Sequence, residues 1–145
     1  MSILNQSLIT KEIETILRAA LEGYIITRNE PINTDPDIAH LVTNGWIGIY
    51  RGAEDYNAFV TGSSPWLVEV NPRVVVQAVS LKSGADAEDA LQGYVAAVLG
   101  VFNGNKRLNN TIGNSTGYSI TYQFNDMNQV YFHQATIIIN GQVRA

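Results

Sequence analysis

Apolar residues recur at helical spacing early in the chain: Ile9, Ile13, Ile16, Leu17, Ala20, Leu21 and Tyr24, with Lys11, Glu12, Glu14, Arg18 and Glu22 between them. This pattern predicts a one-faced amphipathic helix, and Gly23 near its end suits a C-terminal cap. Residues 30–37 carry Pro31 and Pro36, each restricting the residue before it, so the stretch reads as a loop. Residues 38–42 suit a short helical turn. Trp46-Ile47-Gly48-Ile49-Tyr50-Arg51 is rich in β-branched and aromatic residues and bounded by Gly45 and Gly52, which predicts a strand.

A second strand region covers residues 65–81, with an interruption at Asn71-Pro72, because proline cannot donate to a ladder. Beyond the break Val74, Val76, Ala78 and Ser80 share one face and Val75, Gln77 and Val79 the other. Apolar residues on both faces predict an inner strand covered on both sides. Ser83-Gly84-Ala85-Asp86 leads into a second helix, with Asp86 as the expected N-cap and Gly104 as the stop. Its buried face is Ala87, Leu91, Tyr94, Val95, Val98, Leu99 and Phe102. An Asn- and Gly-rich connector follows over residues 103–117. Tyr118, Ile120, Tyr122 and Phe124 then alternate with Ser119, Thr121 and Gln123, strict strand periodicity. Asn125-Asp126-Met127-Asn128 reads as a hairpin turn, after which residues 130–143 return as a long strand. The order helix, strand, long strand, helix, hairpin predicts a single two-layer α+β domain over residues 1–145. In it a mostly antiparallel sheet packs against two amphipathic helices.

Composition sharpens this picture. At 145 residues the chain has the length of one domain, and with 46% hydrophobic residues it is not disordered. Charged residues are only 15%, against about 25% in ordinary globular domains. A monomer must then cover itself with uncharged polar groups or hide surface in an assembly. The absence of cysteine excludes a disulfide scaffold, a thiolate zinc site and a cysteine nucleophile. The first residues lack the basic region of a secretory signal, and the longest apolar stretch, residues 94–102, falls far short of the ~20 residues that span a bilayer. The expectation is a chain made in the cytoplasm with no membrane segment. The three glycosylation sequons, at Asn5, Asn109 and Asn114, then read as polar loop chemistry.

Catalytic and metal patterns are weak. Gly113-Asn114-Ser115-Thr116-Gly117 has the Gly-x-Ser-x-Gly spacing, but it follows a helix and precedes a strand, the reverse of a nucleophile elbow, and no serine begins a Ser-x-x-Lys pair. His40 follows Asp37 at helical spacing, but no nucleophile accompanies it; His133 sits within a strand among aromatic neighbours. Asp35-Pro36-Asp37 lacks the glycine and final glutamate of a calcium loop. Gly100 to Arg107 is a near-miss for a phosphate loop, with Asn105 in place of the second glycine, and it follows a helix rather than a strand. The basic residues are scattered along a chain of net charge −4, and Lys106-Arg107 is its one adjacent basic pair, too little to hold a phosphate backbone. Neither a cofactor nor a catalytic residue is expected, which leaves binding or assembly.

Three stretches, in this order, resemble the tail terminator proteins of long-tailed bacteriophages: Trp46-Ile47-Gly48-Ile49-Tyr50-Arg51-Gly52 followed by Asp55-Tyr56; Arg73-Val74-Val75-Val76-Gln77-Ala78 before the second helix; and Tyr131-Phe132-His133-Gln134-Ala135-Thr136-Ile137-Ile138-Ile139 with Val143-Arg144. With the order of helix and hairpin, the resemblance covers most of residues 8–144. It implies a virion subunit, assembled in the bacterial host, that forms a ring, usually a hexamer, on the last ring of the tail tube protein. Such a ring stops tube polymerisation and offers a surface to the neck or head-completion protein and, in contractile tails, to a sheath. DNA passes through it without specific binding. Six copies at −4 each would give a ring charge of about −24, which repels phosphate. A head-completion or neck protein is the nearest alternative. A small-molecule-binding module or an enzyme using a pocket between helix and sheet, which requires His40, Asp37 and Arg51 to converge, is the alternative of a different class.

Candidate contacts to a neighbouring subunit or the tube fall in the connection over residues 52–65. It carries Glu54, Asp55, Tyr56, Phe59 and Val60 and ends in Gly62-Ser63-Ser64. Long connections are more often functional than short ones, and aromatics flanked by acids and glycine suit a partner contact better than a core flap.

Overall fold

Within residues 5–30, 45–57, 67–127 and 129–144, the parts of the chain that the computed structural model describes, the elements are α1 (Gln6–Ala20), β1 (Ile25–Arg28), β2 (Trp46–Tyr50), β3 (Glu54–Asn57), β4 (Leu67–Val70), β5 (Arg73–Ser80), α2 (Gly84–Asn103), β6 (Asn114–Met127) and β7 (Val130–Arg144). The strands form one sheet in which β7 is the spine. On one side β7 pairs with β6 along almost its whole length, from Met127 opposite Val130 to Asn114 opposite Gln142. On its other side it pairs first with β5 and then with β4. The sheet extends outward from β5 to β2 and then β1, and from β4 to β3. Every pairing is antiparallel except β1 with β2. This is the α+β architecture expected from the element order.

The Asn71-Pro72 break separates β4 from β5, yet both lie against the same edge of β7. Proline has no N–H, but the Pro72 carbonyl still accepts from the Ile139 N–H at 3.0 Å, so the ladder kinks without ending. The Asn71 side chain adds a bond to Asn140 Oδ1 at 2.8 Å. Val74, Val76 and Ala78 of β5 and Ala135, Ile137 and Ile139 of β7 point to the helix side and are buried. They meet Ile9, Ile13 and Leu17 of α1 and Leu91, Val95, Val98 and Phe102 of α2. α1 lies over β1 and β2, and α2 over β5 and β7.

The other face of the inner strands is also closed, as their two-sided apolar pattern predicts. Val75 and Trp46 pack together, and Gln77, fully buried, donates from its amide to Gln134 Oε1 at 2.9 Å. The Trp46 ring approaches Gly48 so closely that an added Cβ would sit 2.5 Å from it and 2.8 Å from the Tyr50 hydroxyl. Glycine at this strand position is what admits the indole.

Several details differ from the sequence expectations. β1 was not foreseen: four residues are too few to show periodicity. Gly23, with φ of +87°, lies two residues past the α1 C-cap, Leu21, and turns the chain into β1. The α2 N-cap is Ser83, not Asp86. Ser83 has the extended backbone of a cap and its Oγ accepts from the Asp86 N–H at 3.0 Å, while the Asp86 carboxylate accepts from Ser80 Oγ at 2.7 Å. Gly104 ends α2 as expected. The connector yields its last residues to β6, which starts at Asn114, and β6 continues through Asn125, Asp126 and Met127. The hairpin therefore reverses between Met127 and Val130, with Gln129 at φ of +64°. Glu54, Asp55 and Tyr56 form a strand rather than a loop, because the free edge of β4 offers them a ladder. The helical turn expected at residues 38–42 lies outside the described residues.

Candidate interaction surfaces

On β3, Glu54 and Tyr56 share one face and Asp55 the other, which is exposed. The Tyr56 hydroxyl donates to Glu54 Oε2 at 2.7 Å, and Gln6 Nε2 donates to Glu54 Oε1 at 2.6 Å. Gln6 is itself buried and is bonded in both directions to the Gly52 backbone: its Nε2 reaches the carbonyl at 3.1 Å, and its Oε1 accepts the N–H at 3.2 Å. The first residue of α1 thus anchors the β2–β3 connection. The hydrogen bonds from Tyr56, and then from Gln6, hold the Glu54 carboxyl below its ordinary range, because they favour the charged form. Asp55 stands opposite Glu69 in the ladder, and both are exposed, so this edge of the sheet is acidic. Of the five expected contact residues, three are brought together here, with Tyr56 half-buried against its own subunit. Phe59 and Val60 lie outside the described residues.

A second surface had escaped sequence reading. Tyr118, Ile120, Tyr122 and Phe124 all point to the helix side of β6. Tyr118 is covered: its ring stacks on Phe102 of α2, with centroids 6.2 Å apart, and burial raises its hydroxyl pKa. Tyr122 and Phe124 are 55% and 74% exposed, because α2 lies over β5 and β7 and leaves this end of β6 open. Between them and the first turns of α2 is a groove of about 570 Å³, with Leu91 at its apolar floor and Glu88, Gln92 and Asp126 along it. His133 borders the groove with its ring 5.8 Å from that of Phe124. Its Nε2 is enclosed, 3.7 Å from Asp126 Oδ1, and makes no hydrogen bond among the described residues.

Two exposed rings and two carboxylates give this groove a chemistry that favours a cationic group. Near the start of α2, Ser80 Oγ donates to the Asp86 carboxylate and accepts from the Lys82 N–H, while Ser83 Oγ caps the helix. The strict alternation of β6 placed both aromatics on one face, but nothing local said that α2 would leave them open. Of the residues of the alternative pocket, Arg51 is exposed, while His40 and Asp37 lie outside the described residues. Among the described residues no group of three or more His, Asp or Glu side chains could hold a metal ion, and no helix is long and apolar enough to cross a membrane. No protein-family model matches the chain, and a search of curated proteins finds no significant match.

Proposed function

We propose that this chain is a structural subunit of a bacteriophage tail–neck junction, a tail terminator that forms a ring on the head-proximal end of the tail tube. In this role it stops tube polymerisation and presents the surface to which the neck or head-completion protein attaches. The observation that carries the reading is β6: fourteen residues long, paired on one edge only among the described residues, and displaying Tyr122 and Phe124 to solvent. A long strand edge beside exposed aromatics is a hazard for a monomer and an asset for an assembly. The low charged fraction and the acidic β3–β4 edge also support a subunit that hides surface in a ring and lets DNA pass. The groove's volume also suits a small ligand and favours the second reading, a small-molecule-binding module.

Light scattering over a range of concentrations, with and without purified tail tubes, tests the assignment. Ring formation alone or on tubes is the expected result. A protein that stays monomeric and ignores tubes overturns it, and a large ligand-induced thermal shift in such a monomer would favour the small-molecule reading. Electron microscopy of a lysate lacking the protein separates terminator from neck protein. Tails of uncontrolled length mark the former, and normal-length tails without heads mark the latter.

A further inference from the structure

The two ends of α2 carry complementary chemistry. Beside its first turns lies the groove with the Tyr122 and Phe124 rings, the exposed Glu88 and Asp126 carboxylates and the enclosed His133 Nε2, 3.7 Å from Asp126 Oδ1. Just past its last residue, Asn103, comes the turn that carries Lys106-Arg107. Both of these side chains are exposed, and neither makes an ion pair among the described residues. A 20-residue helix is about 30 Å long, so this pair lies far from the groove of its own subunit.

The turn is built to hold that pair outward. Leu108, Asn109 and Asn110 all have positive φ, at 49°, 55° and 65°, a left-handed run that asparagine tolerates and leucine avoids. Three anchors impose it. Leu108 is buried in the core. The Asn105 side chain accepts from the Asn109 N–H at 2.9 Å and donates to Asn109 Oδ1 at 2.6 Å. Asn109 Nδ2 donates to Glu12 Oε2 of α1 at 2.9 Å. The strained Leu108 is held by these anchors directly after two cations that make no ion pair among the described residues.

We propose that the Lys106-Arg107 turn of one copy docks in the Tyr122–Phe124 groove of the next, so that the ring is joined head to tail. This deepens the ring reading and rests on it. The Arg107 guanidinium lies against the aromatic faces, where a planar cation is attracted by the ring quadrupole, and Glu88 and Asp126 neutralise the basic pair. Because donor and receptor are different surfaces, the contact is heterologous, the kind that closes into rings when the rotation permits. Subunits of net charge −4 repel one another overall. A local cation in an acidic aromatic groove then sets direction and register.

Charge reversal tests the contact. Lys106→Glu with Arg107→Glu reverses the turn, and Glu88→Lys with Asp126→Lys reverses the groove; all four residues are exposed, so each variant should melt with the native protein. Analytical ultracentrifugation should show association weakened at least about tenfold for each variant alone. Mixing the two in equal amounts should restore it, since the reversed turn then meets the reversed groove and the native turn meets the native groove. Phe124→Ala, at an exposed position, should weaken assembly without unfolding the subunit. If native rings form and the variants assemble as the native protein does, or if mixing restores nothing, the docking proposal is overturned and the ring reading stands. If the native chain stays monomeric at every concentration and on tail tubes, the ring reading falls and takes the proposal with it.

Discussion

Gly52 is the position at which a single methyl group should do most damage. An added Cβ there would sit 1.5 Å from the carbonyl oxygen of Asn71 and 2.5 Å from its carbonyl carbon. Carbon–oxygen contacts settle at about 3.3 Å or more, so the β2–β3 connection and the β4–β5 junction must separate by about 2 Å. Both partners are backbone, and no side-chain rotation relieves the clash. Three hydrogen bonds cross or adjoin this approach: Asn71 N–H to the Ala53 carbonyl at 3.1 Å, and the two between Gln6 and the Gly52 backbone at 3.1 and 3.2 Å. At about 1 kcal/mol each, with the buried Gln6 amide left wanting, Gly52→Ala should cost about 3 kcal/mol. At about 3 °C per kcal/mol for a domain of this size, the melting temperature should fall by about 9 °C. Urea unfolding should show a lower midpoint at an unchanged slope. Gly93→Ala is the control: it lies inside α2, exposed, with nothing within 4 Å of the added methyl, and should stabilise by about 0.8 kcal/mol. A Gly52→Ala protein melting within about 2 °C of native refutes the close approach.

Glu54 has a pKa lowered in the folded state, so the stability it supplies is present above its unfolded value, near 4.5, and is lost as pH falls through the lower folded value. The destabilisation caused by Glu54→Gln at pH 7 should therefore shrink below about pH 4.5; a difference constant from neutral to strongly acidic pH would show that the carboxylate contacts contribute nothing. Ser83→Ala should cost about 1 kcal/mol through loss of the α2 N-cap, visible as a lower urea midpoint, whereas an unaffected midpoint would return the cap to Asp86. Tyr56→Ala with Phe59→Ala should lower the melting temperature by about 3 °C, through loss of the Tyr56–Glu54 bond at about 1 kcal/mol, while ring or tube binding falls by more than that. Unfolding about 9 °C or more earlier, with binding by the folded protein unchanged, would assign these side chains to the core.

The sequence by itself determined the two helices, the two-sided inner strand β5 and the closing hairpin. These elements are long enough for apolar spacing to declare their period and face, and that spacing follows from the local geometry of helix and strand. It could not supply β1 and β3, each four residues long and held by partners remote in the chain, nor the way β4 and β5 share one edge of β7 across a proline. The candidate surfaces divide along the same line. Asp55 and Tyr56 stood out as acid and aromatic in a connection, but that Glu54 accepts from both Tyr56 and Gln6 depends on where α1 begins. Periodicity put Tyr122 and Phe124 on the same face as the partly buried Tyr118 and Ile120, and only the placement of α2 left them open. Likewise Lys106-Arg107 was legible as a basic pair, whereas its presentation depends on Leu108 reaching the core and on Asn109 reaching Glu12, 97 residues away. A pattern of residues states which side chains share a face; what covers that face is decided by elements distant in sequence, through packing that no local rule contains.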